Sequence, residues 1–325
     1  MKKIVIIGGA GYIGTVLIDY LLKKNYEIIC VDNLIYKNRF AINSFKRKKN
    51  FNFLNVDLRS NEIIKKFIDE DTSVVILAGL VGDPITKKYD KLANNINKVG
   101  INNLINMLSK LTFKKLLFIS TCSNYGLSQS NKLLDEKSKL NPISKYACDK
   151  VFIENKILQL KKINFCPVIL RFATAFGISK RMRFDLTINE FVKDIYLKKN
   201  LEVYDYDTYR PYCHTIDFAR AINKVLNSKN EKVFKECFNV GSKHNNLQKK
   251  AIVDLILKNL KIKNNNVKFI KQSKDRRNYR VNFNKIEKKL KFKTKYTIKY
   301  GINEIIDYLK KTKLKNKNYY GNYKI

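Results

Sequence analysis

Three side chains near the middle of the sequence could act together on a proton: Thr121, Tyr146 and Lys150. Tyr146 and Lys150 form a Y-x-x-x-K pair, and this spacing places both side chains on one face of a helix. A phenol with a pKa of about 10 is a weak base at neutral pH. A lysine ammonium one helical turn away stabilises the phenolate and lowers that pKa. Because such pairs are frequent by chance, their meaning depends on the elements that position them.

Those elements alternate between short apolar strands and helical patterns. The strands are IVIIG (4–8), EIICVD (27–32), FNFLNVD (51–57), SVVILAG (73–79), KLLFIS (115–120) and FCPVILRF (165–172), with the longest helices near 91–110 and 143–162. This alternation predicts an α/β fold of Rossmann type, with a doubly wound parallel sheet. Thr121 directly follows the fifth strand, at the sheet edge where such folds bind ligands.

A glycine cluster, GGAGYIG at residues 8–14, follows the first strand and opens an apolar helix. It satisfies G-x-G-x-x-G, and also G-x-x-G-x-x-G when read from its first residue. Glycines there allow a tight turn, close approach of the backbone to a pyrophosphate, and close helix–strand packing. Asp32 ends the second strand about 20 residues further on, where a carboxylate accepts hydrogen bonds from the adenosine ribose and disfavours a 2′-phosphate. The sequence therefore predicts a site for NAD rather than NADP.

Beyond residue 172 the pattern loosens into helical stretches near 185–199, 215–227, 247–260 and 298–311 and a short strand near 201–204. We therefore predict an NAD-binding Rossmann domain over residues 1–172, which carries the Thr/Tyr/Lys site. Residues 173–325 are predicted to form mainly a smaller α/β substrate lobe. The boundary is soft, because no Pro/Gly/Ser linker separates the halves and some segments are expected to return to the first sheet.

The chain has 325 residues and a formal net charge of +38, with a pI near 9.9. Such a charge can indicate nucleic-acid binding, but lysines spread along the whole chain favour a compositional bias on solvated surfaces. The densest basic stretch, residues 310–325, is expected to be frayed and to carry no site residue. We expect no specific nucleic-acid partner.

Six cysteines without a C-x-x-C pair indicate reduced thiols in a cytoplasmic protein. Two histidines and no Cys/His cluster argue against a metal site. The sequence shows no secretory signal and no apolar run of about 18 residues, so no membrane insertion is expected.

Motifs along nearly the whole chain resemble those of extended short-chain dehydrogenases/reductases of the NAD-dependent nucleotide-sugar epimerase/dehydratase group. Besides the glycine cluster, they are DNL (32–34), Asp57-Leu58, LAGLVGD (77–83), INKVGINNL (96–104), STCSNYG (120–126), PISKYACDK (142–150), LRFATAFG (170–177) and RPYCHTID (210–217). Each motif alone is weak, but together they are specific.

The resemblance implies oxidation of a nucleotide-linked sugar at C4. Tyr146 would take a hydroxyl proton while hydride leaves the same carbon for the nicotinamide, Lys150 would hold the nicotinamide ribose, and Thr121 would hydrogen-bond the reacting oxygen. The implied cofactor-binding residues are Gly8, Gly11, Tyr12, Ile13, Gly14, Asp32, Asn33, Asp57, Leu58, Leu77, Ala78, Gly79, Asn97, Tyr146 and Lys150. The implied substrate-binding residues are Thr121, Ser123, Thr174, Arg183, Arg210 and Arg277, with the arginines suited to a diphosphate. The resemblance also implies a homodimer, in which the helices near 91–110 and 143–162 of the two protomers form a four-helix bundle.

Departures from the family pattern bear on the reaction. The 4,6-dehydratases of the group follow their threonine with Asp-Glu, whereas this chain has Cys122 and Ser123, which disfavours elimination of water. Thr174 stands where many 4-epimerases have asparagine. The stretch 177–191 resembles the branch that includes GDP-heptose 4-dehydrogenases of surface-polysaccharide pathways, and Arg181 and Arg183 in it either line the nucleotide pocket or remain on the surface. Arg171, His214 and Cys122 are expected to be structural.

Three functions remain open from the sequence. The first is a nucleotide-sugar epimerase of surface-polysaccharide biosynthesis that keeps NAD(H) bound. The second is a net 4-dehydrogenase that releases the ketosugar. The third is a non-catalytic NAD-binding scaffold on nucleic acid, which the charge suggests and the Thr121, Tyr146 and Lys150 set argues against.

Overall fold

The computed structural model describes residues 1–128, 132–263, 266–271, 277–315 and 317–325. Its strands are Lys3–Ile7 (β1), Glu27–Val31 (β2), Phe51–Leu54 (β3), Thr72–Ile76 (β4), Thr112–Thr121 (β5), Asn164–Phe172 (β6), Thr174–Phe176 (β7), Leu201–Tyr204 (β8), Tyr209–His214 (β9), Glu236–Val240 (β10), Asn246–Gln248 (β11) and Val267–Ile270 (β12). Its α-helices are Tyr12–Leu22 (α1), Asn61–Lys65 (α2), Asp83–Lys88 (α3), Asp90–Ala93 (α4), Ile101–Leu108 (α5), Lys145–Gln159 (α6), Thr187–Tyr196 (α7), Thr215–Leu226 (α8), Asn230–Val233 (α9), Lys249–Leu260 (α10), Asn284–Leu290 (α11) and Ile298–Lys311 (α12). A π-helical stretch, Asn94–Gly100, joins α4 to α5.

The main sheet has seven parallel strands in the order β10-β6-β5-β4-β1-β2-β3. The chain builds β2 and β3 on one side of β1 and then crosses to build β4, β5 and β6 on the other. The predicted doubly wound Rossmann-type sheet is therefore confirmed. Its topological switch point lies between β1 and β4, and ligands bind in the crevice at the carboxyl ends of strands at such a point.

Both faces of the main sheet are covered, as strands with near-continuous apolar sequences require. Ile4 and Ile6 of β1 pack on the side of α1 and α8, whereas Val5 and Ile7 pack on the side of α5 and α6. The helices predicted near 91–110 and 143–162 are therefore neighbours on one face of the sheet.

A smaller lobe packs beside the carboxyl edge of the main sheet. It contains a three-stranded sheet in the order β11-β9-β7, the parallel pair β12-β8, and a core shared by α7, α10 and α12. The strand predicted near 201–204 and the helix predicted near 298–311 occur at those positions. Two elements from residues 173–325 return to the main sheet, since β10 pairs with β6 and α8 packs against α1. The division at residue 172 stays a prediction.

The expectation of a frayed basic tail is wrong for residues 319–323. Tyr320 is 4% exposed, and its ring packs against Phe184 with centroids 5.4 Å apart. Aromatic contacts and backbone hydrogen bonds to distant loops hold this stretch in place. Neither kind of contact can be predicted from the lysine-rich local sequence. None of the helices in the described part of the chain combines the length and apolar character needed to cross a bilayer.

Candidate active site

A cavity of about 640 Å³ lies at the carboxyl edge of the main sheet, and residues of the smaller lobe close its far side. Every site residue predicted from the sequence lines it except Asn97. The cavity runs from the ends of β2 and β3, with Asp32 and Asp57, to the end of β5, with Thr121. It is thus a continuous space between the predicted cofactor and substrate residues.

The glycine turn forms the floor of the cavity. Gly8 has φ of +86°, and a Cβ there would lie 2.5 Å from the backbone nitrogen of Ala78. A Cβ at Gly14 would lie 2.4 Å from the carbonyl oxygen of Gly9, so helix α1 can approach the turn only with glycine at that position. Gly11 caps the start of α1, where free N–H groups and the helix dipole favour an anion.

Polar groups at the end of β2 face the same space. The Asp32 carboxylate accepts hydrogen bonds from the backbone nitrogens of Ala10 (3.0 Å) and Leu34 (2.8 Å), and burial raises its pKa above the ordinary value. Asn38 donates to the Ala10 carbonyl (2.7 Å) and is 2% exposed. Its Oδ1 has no hydrogen-bond partner within the described ranges. No sequence pattern marked Asn38.

Asp57 is held as an anion beside β3. The Arg59 guanidinium donates to both of its oxygens, at 2.7 and 2.9 Å, and Asn33 donates to Oδ2 at 2.7 Å. These contacts, with the Arg59 hydrogen bonds the largest effect, lower the pKa of Asp57 to about 2. Asp57 therefore stays ionised, and with Leu58 it lines the part of the cavity predicted to bind the cofactor.

Asn97 acts behind the cavity wall rather than in it. It projects from the π-helical stretch, where its Oδ1 accepts from the nitrogen of Leu80 (2.8 Å) and its Nδ2 donates to the oxygen of Leu80 (3.0 Å). Gly79, with φ of +151°, lets the loop after β4 pass close to this side chain. Asn97 thus lies one layer behind the loop that contains Leu77, Ala78 and Gly79, and a role in positioning that loop on the cofactor side stays a prediction.

Thr121, Tyr146 and Lys150 meet at the other end of the cavity. The Lys150 ammonium donates to the carbonyl of Ile119 (2.8 Å) and lies 5.7 Å from the centre of the Tyr146 ring. Thr121 accepts from the nitrogen of Ser123 at 3.0 Å, which leaves its O–H able to donate to a ligand. Helix α6, capped by Ser144, provides the one-turn spacing of the tyrosine and the lysine.

Burial governs the electrostatics of this trio. Burial lowers the pKa of the Lys150 ammonium to about 8, although Glu154 and Asp149 act in the opposite direction. Burial also raises the pKa of the Tyr146 phenol, which the positive charge of Arg183 partly offsets. The phenol therefore needs a cationic neighbour to ionise near neutral pH, and Lys150 is placed to be one.

The arginines are more engaged in ion pairs than the sequence suggests. Arg183 donates through two nitrogens to Asp185, at 2.9 and 2.6 Å. Arg277 pairs with Asp83 at 2.9 Å. Arg210 lies 5.4 Å over the ring of Tyr279 and donates to the backbone of Tyr209. All three arginines line the cavity and can face an anionic ligand, and the carboxylates that orient Arg183 and Arg277 line the same cavity.

A buried hydrogen-bond hub connects the glycine turn to the smaller lobe. The Tyr12 hydroxyl donates to the Gly177 carbonyl (2.5 Å) and accepts from Asn189 (2.9 Å). Asn189 also donates to the Arg183 carbonyl (2.8 Å) and accepts from the nitrogen of Gly177 (3.0 Å). Sequence reasoning missed Asn189, because its partners are set by tertiary contact.

The expected structural residues are confirmed. Arg171 forms a buried ion pair with Glu154 at 2.6 Å. His214 is 0% exposed, interacts with Glu304 at 2.9 Å and accepts from the nitrogen of Ile216. The Cys122 thiol is buried against the Arg171 carbonyl, 3.3 Å away.

The cavity fits a dinucleotide cofactor. A Cβ at Gly8 or Gly14 would collide with the backbone of Ala78 or Gly9, so the turn that lines the cavity requires glycine at both positions. The unpaired Asn38 Oδ1 needs a donor. The Tyr36 hydroxyl on the same wall also has no partner within the described part of the chain. Buried polar atoms of this kind usually bind a ligand or water. In the described residues, no cluster of His, Cys, Asp or Glu is placed to hold a metal ion.

Other proteins resemble this chain in sequence or in fold. A putative UDP-glucose 4-epimerase of Methanocaldococcus jannaschii is 29% identical over 240 residues, which are 70% of this chain and 74% of that protein. A UDP-glucuronic acid 4-epimerase of Bacillus cereus, solved with UDP-glucuronic acid and NAD, superposes with a TM-score of 0.83 at 23% identity, covering 95% of this chain and 99% of that one. A dTDP-glucose 4,6-dehydratase of Bacillus anthracis, solved with NAD, gives 0.81 at 22% identity, covering 96% and 97%. At these identities the two structures show the fold alone.

The sequence profile of the NAD dependent epimerase/dehydratase family matches residues 4–241. This range contains the main sheet from β1 to β10, the glycine turn and the Tyr146–Lys150 pair. The match agrees with the glycine turn and the unpartnered polar atoms that line the cavity, which fit a dinucleotide. The chain is therefore an NAD-dependent protein that belongs to the epimerase/dehydratase family.

Proposed function

We propose that the protein is a nucleotide-sugar 4-epimerase, which oxidises C4 of the sugar and returns the hydride to the opposite face of the resulting ketone. The observation that carries this proposal is the position of Thr121, Tyr146 and Lys150 on the cavity that also holds the cofactor residues. UDP-sugar 4-epimerases among the relatives support the same chemistry.

Each residue of the trio has a distinct role in this proposal. Tyr146 takes the proton of the C4 hydroxyl and later returns one to the C4 oxygen. Lys150 supplies the positive charge that stabilises the phenolate, and the Thr121 hydroxyl donates to the C4 oxygen. NAD, when bound, accepts the hydride and gives it back.

Elimination of water is disfavoured by the two residues after Thr121. Cys122 points away from the cavity, and its thiol is held at the Arg171 carbonyl (3.3 Å). Ser123 lines the cavity, but a serine hydroxyl does not replace a carboxylic acid in proton transfer. The acid and base that a 4,6-dehydratase requires are thus missing at these two positions.

The second candidate is a net 4-dehydrogenase that releases the ketosugar. It is favoured by Thr174, which lines the cavity where many 4-epimerases have asparagine, and by the resemblance of residues 177–191 to GDP-heptose 4-dehydrogenases. A role in surface-polysaccharide synthesis and a cytoplasmic location stay predictions. Homodimerisation through the helices near 91–110 and 143–162 is part of this proposal, and exposed apolar side chains on both support it: Val99 of the π-helical stretch (44% exposed) and Phe152 of α6 (41% exposed).

The test is turnover of a panel of UDP-, GDP-, CDP- and TDP-sugars, with products identified by mass spectrometry and NMR. An epimerase converts the sugar without net NADH, whereas a dehydrogenase accumulates NADH and ketosugar in equal amounts. Tyr146→Phe should lower turnover by roughly 10²–10⁴-fold, the usual contribution of a general base, and should keep NAD binding. Tyr300→Phe, on an exposed part of α12, is the matched control.

Full activity of Tyr146→Phe would refute the proposed base. No turnover of any nucleotide sugar, together with nanomolar and sequence-selective binding of nucleic acid, would favour the scaffold instead.

A further inference from the structure

Residues 319–323, here named the closing segment, reach the active-site cavity, which Asn322 and Tyr323 line. The Tyr319 ring stacks on Phe40 with centroids 4.1 Å apart and an interplanar angle of 16°. The carbonyl of buried Tyr320 accepts from the nitrogen of Phe184 at 2.6 Å. The segment is therefore anchored on both the main-sheet side, at Phe40, and the smaller lobe, at Phe184.

Polar contacts tie the same two sides together. Asn322 donates through Nδ2 to the carbonyl of Val81 (3.0 Å), which lies on the loop after β4. Its backbone nitrogen donates to Asp185 (3.3 Å), the carboxylate that also binds Arg183. The Gly321 carbonyl accepts from Arg181 at 3.0 Å. One short segment thus bridges the loop that Asn97 positions and the arginine-rich stretch of the lobe.

Arg181 connects the closing segment to the cofactor end of the cavity. Its guanidinium lies 5.5 Å from the ring centre of Tyr36 and borders the cavity, yet Arg181 is only 2% exposed. Its hydrogen-bond acceptors are the carbonyls of Met182, Tyr319 and Gly321 and the side chain of Asn322. It forms no ion pair with a carboxylate in the described ranges. A buried cation with only neutral acceptors, beside Tyr36 on the cavity wall, suits an anionic ligand such as a pyrophosphate.

We propose that the closing segment retains the dinucleotide in the cavity, and that NAD(H) leaves only when the contacts Asn322–Val81 and Arg181–Gly321 open. Asn322 and Tyr323 form part of the cavity wall, so the segment covers bound ligand directly. Retention would keep the reduced cofactor beside the ketone until hydride returns. The inference rests on the cofactor, not on the proposed sugar reaction, so either can fail separately.

The test is the rate of NADH dissociation from the full-length protein, measured without any sugar substrate. NADH-loaded protein is mixed with excess NAD⁺ in a stopped-flow fluorimeter, and NAD(H) content after purification is measured in parallel. Asn322→Ala should raise the dissociation rate constant at least fivefold, and removal of residues 319–325 should raise it more. Asn303→Ala, an exposed asparagine on α12, is the matched control and should dissociate NADH at the wild-type rate.

Circular dichroism and thermal unfolding without cofactor show whether each variant keeps the fold. If the truncated protein does not fold, Asn322→Ala and Tyr319→Ala decide the outcome. A dissociation rate within twofold of wild type in folded variants would overturn the proposal. An NADH dissociation rate within twofold of wild type combined with weaker binding of UDP or GDP would also overturn the proposal. It would indicate that the closing segment binds the substrate and does not retain the cofactor.

Discussion

Replacing Asn97 with alanine tests how the loop after β4 is held over the cofactor site. The substitution removes both hydrogen bonds to Leu80, which is 1% exposed, and leaves a buried N–H and a buried C=O without their partner. Each such group costs about 1–3 kcal/mol, so the closed loop should lose about 2–6 kcal/mol. Because 1.4 kcal/mol corresponds to a factor of ten, even the lower figure predicts NAD binding weakened about 30-fold if the cost falls on the binding-competent loop.

Calorimetric titration of cofactor-free protein with NAD measures this loss, and chemical denaturation measures any part that appears as lower stability. Asn95→Ala is the matched control, because Asn95 lies in the same π-helical stretch and is exposed. It should change neither quantity appreciably. If Asn97→Ala bound NAD within threefold of wild type with an unchanged free energy of unfolding, the positioning role would be refuted.

Two further predictions concern cofactor choice and pH. Asp32 borders the expected adenosine ribose, so NAD should bind at least tenfold more tightly than NADP, a difference of about 1.4 kcal/mol. Asp32→Ala should reduce this preference. Equal affinities of the wild-type protein for NAD and NADP, measured by calorimetry, would contradict this role of Asp32. Burial lowers the pKa of Lys150 to about 8, although the charges of Glu154 and Asp149 act to raise it. Above about pH 8 the ammonium that assists Tyr146 loses its proton, so kcat/KM should fall above this pH. In the unfolded chain the pKa of a lysine is near 10.4. Between about pH 8 and pH 10.4 Lys150 is therefore protonated in the unfolded chain but largely neutral in the folded protein. This one group makes the free energy of unfolding rise with pH over that range. A flat kcat/KM profile to pH 10 would contradict the assignment.

Much of the fold could be predicted because its signals are local. Apolar strands alternating with helices predict a parallel sheet, because the apolar runs and the helical periodicity are patterns within short stretches of sequence. The glycine turn depends on sterics between residues five apart, such as Gly9 and Gly14. The Tyr146–Lys150 pair depends on one turn of α6, and these features are where sequence and structure agree.

Residues whose function depends on long-range partners were harder to place. Asn38 and Asn189 carry no local signal, because their partners come from other loops and strands. Asn97 was found through its motif as a cofactor-side residue, but the sequence did not show that it lies behind the cavity wall, hydrogen-bonded to Leu80. Arg183 and Arg277 were recognised as cavity residues, yet their pairing with Asp185 and Asp83 could not be read from spacing.

The closing segment marks the clearest difference between local sequence and packing. Residues 310–325 are rich in lysine and asparagine, a composition typical of solvated chain ends. Asn322 nevertheless binds Val81, 241 residues earlier in the sequence, and Arg181 binds Gly321 across 140 residues. Short-range periodicity and sterics thus predict the sheet, the glycine turn and the Tyr146–Lys150 pair. The position of the closing segment depends instead on a few aromatic and carbonyl contacts with distant residues, and these contacts exist only in the folded tertiary structure.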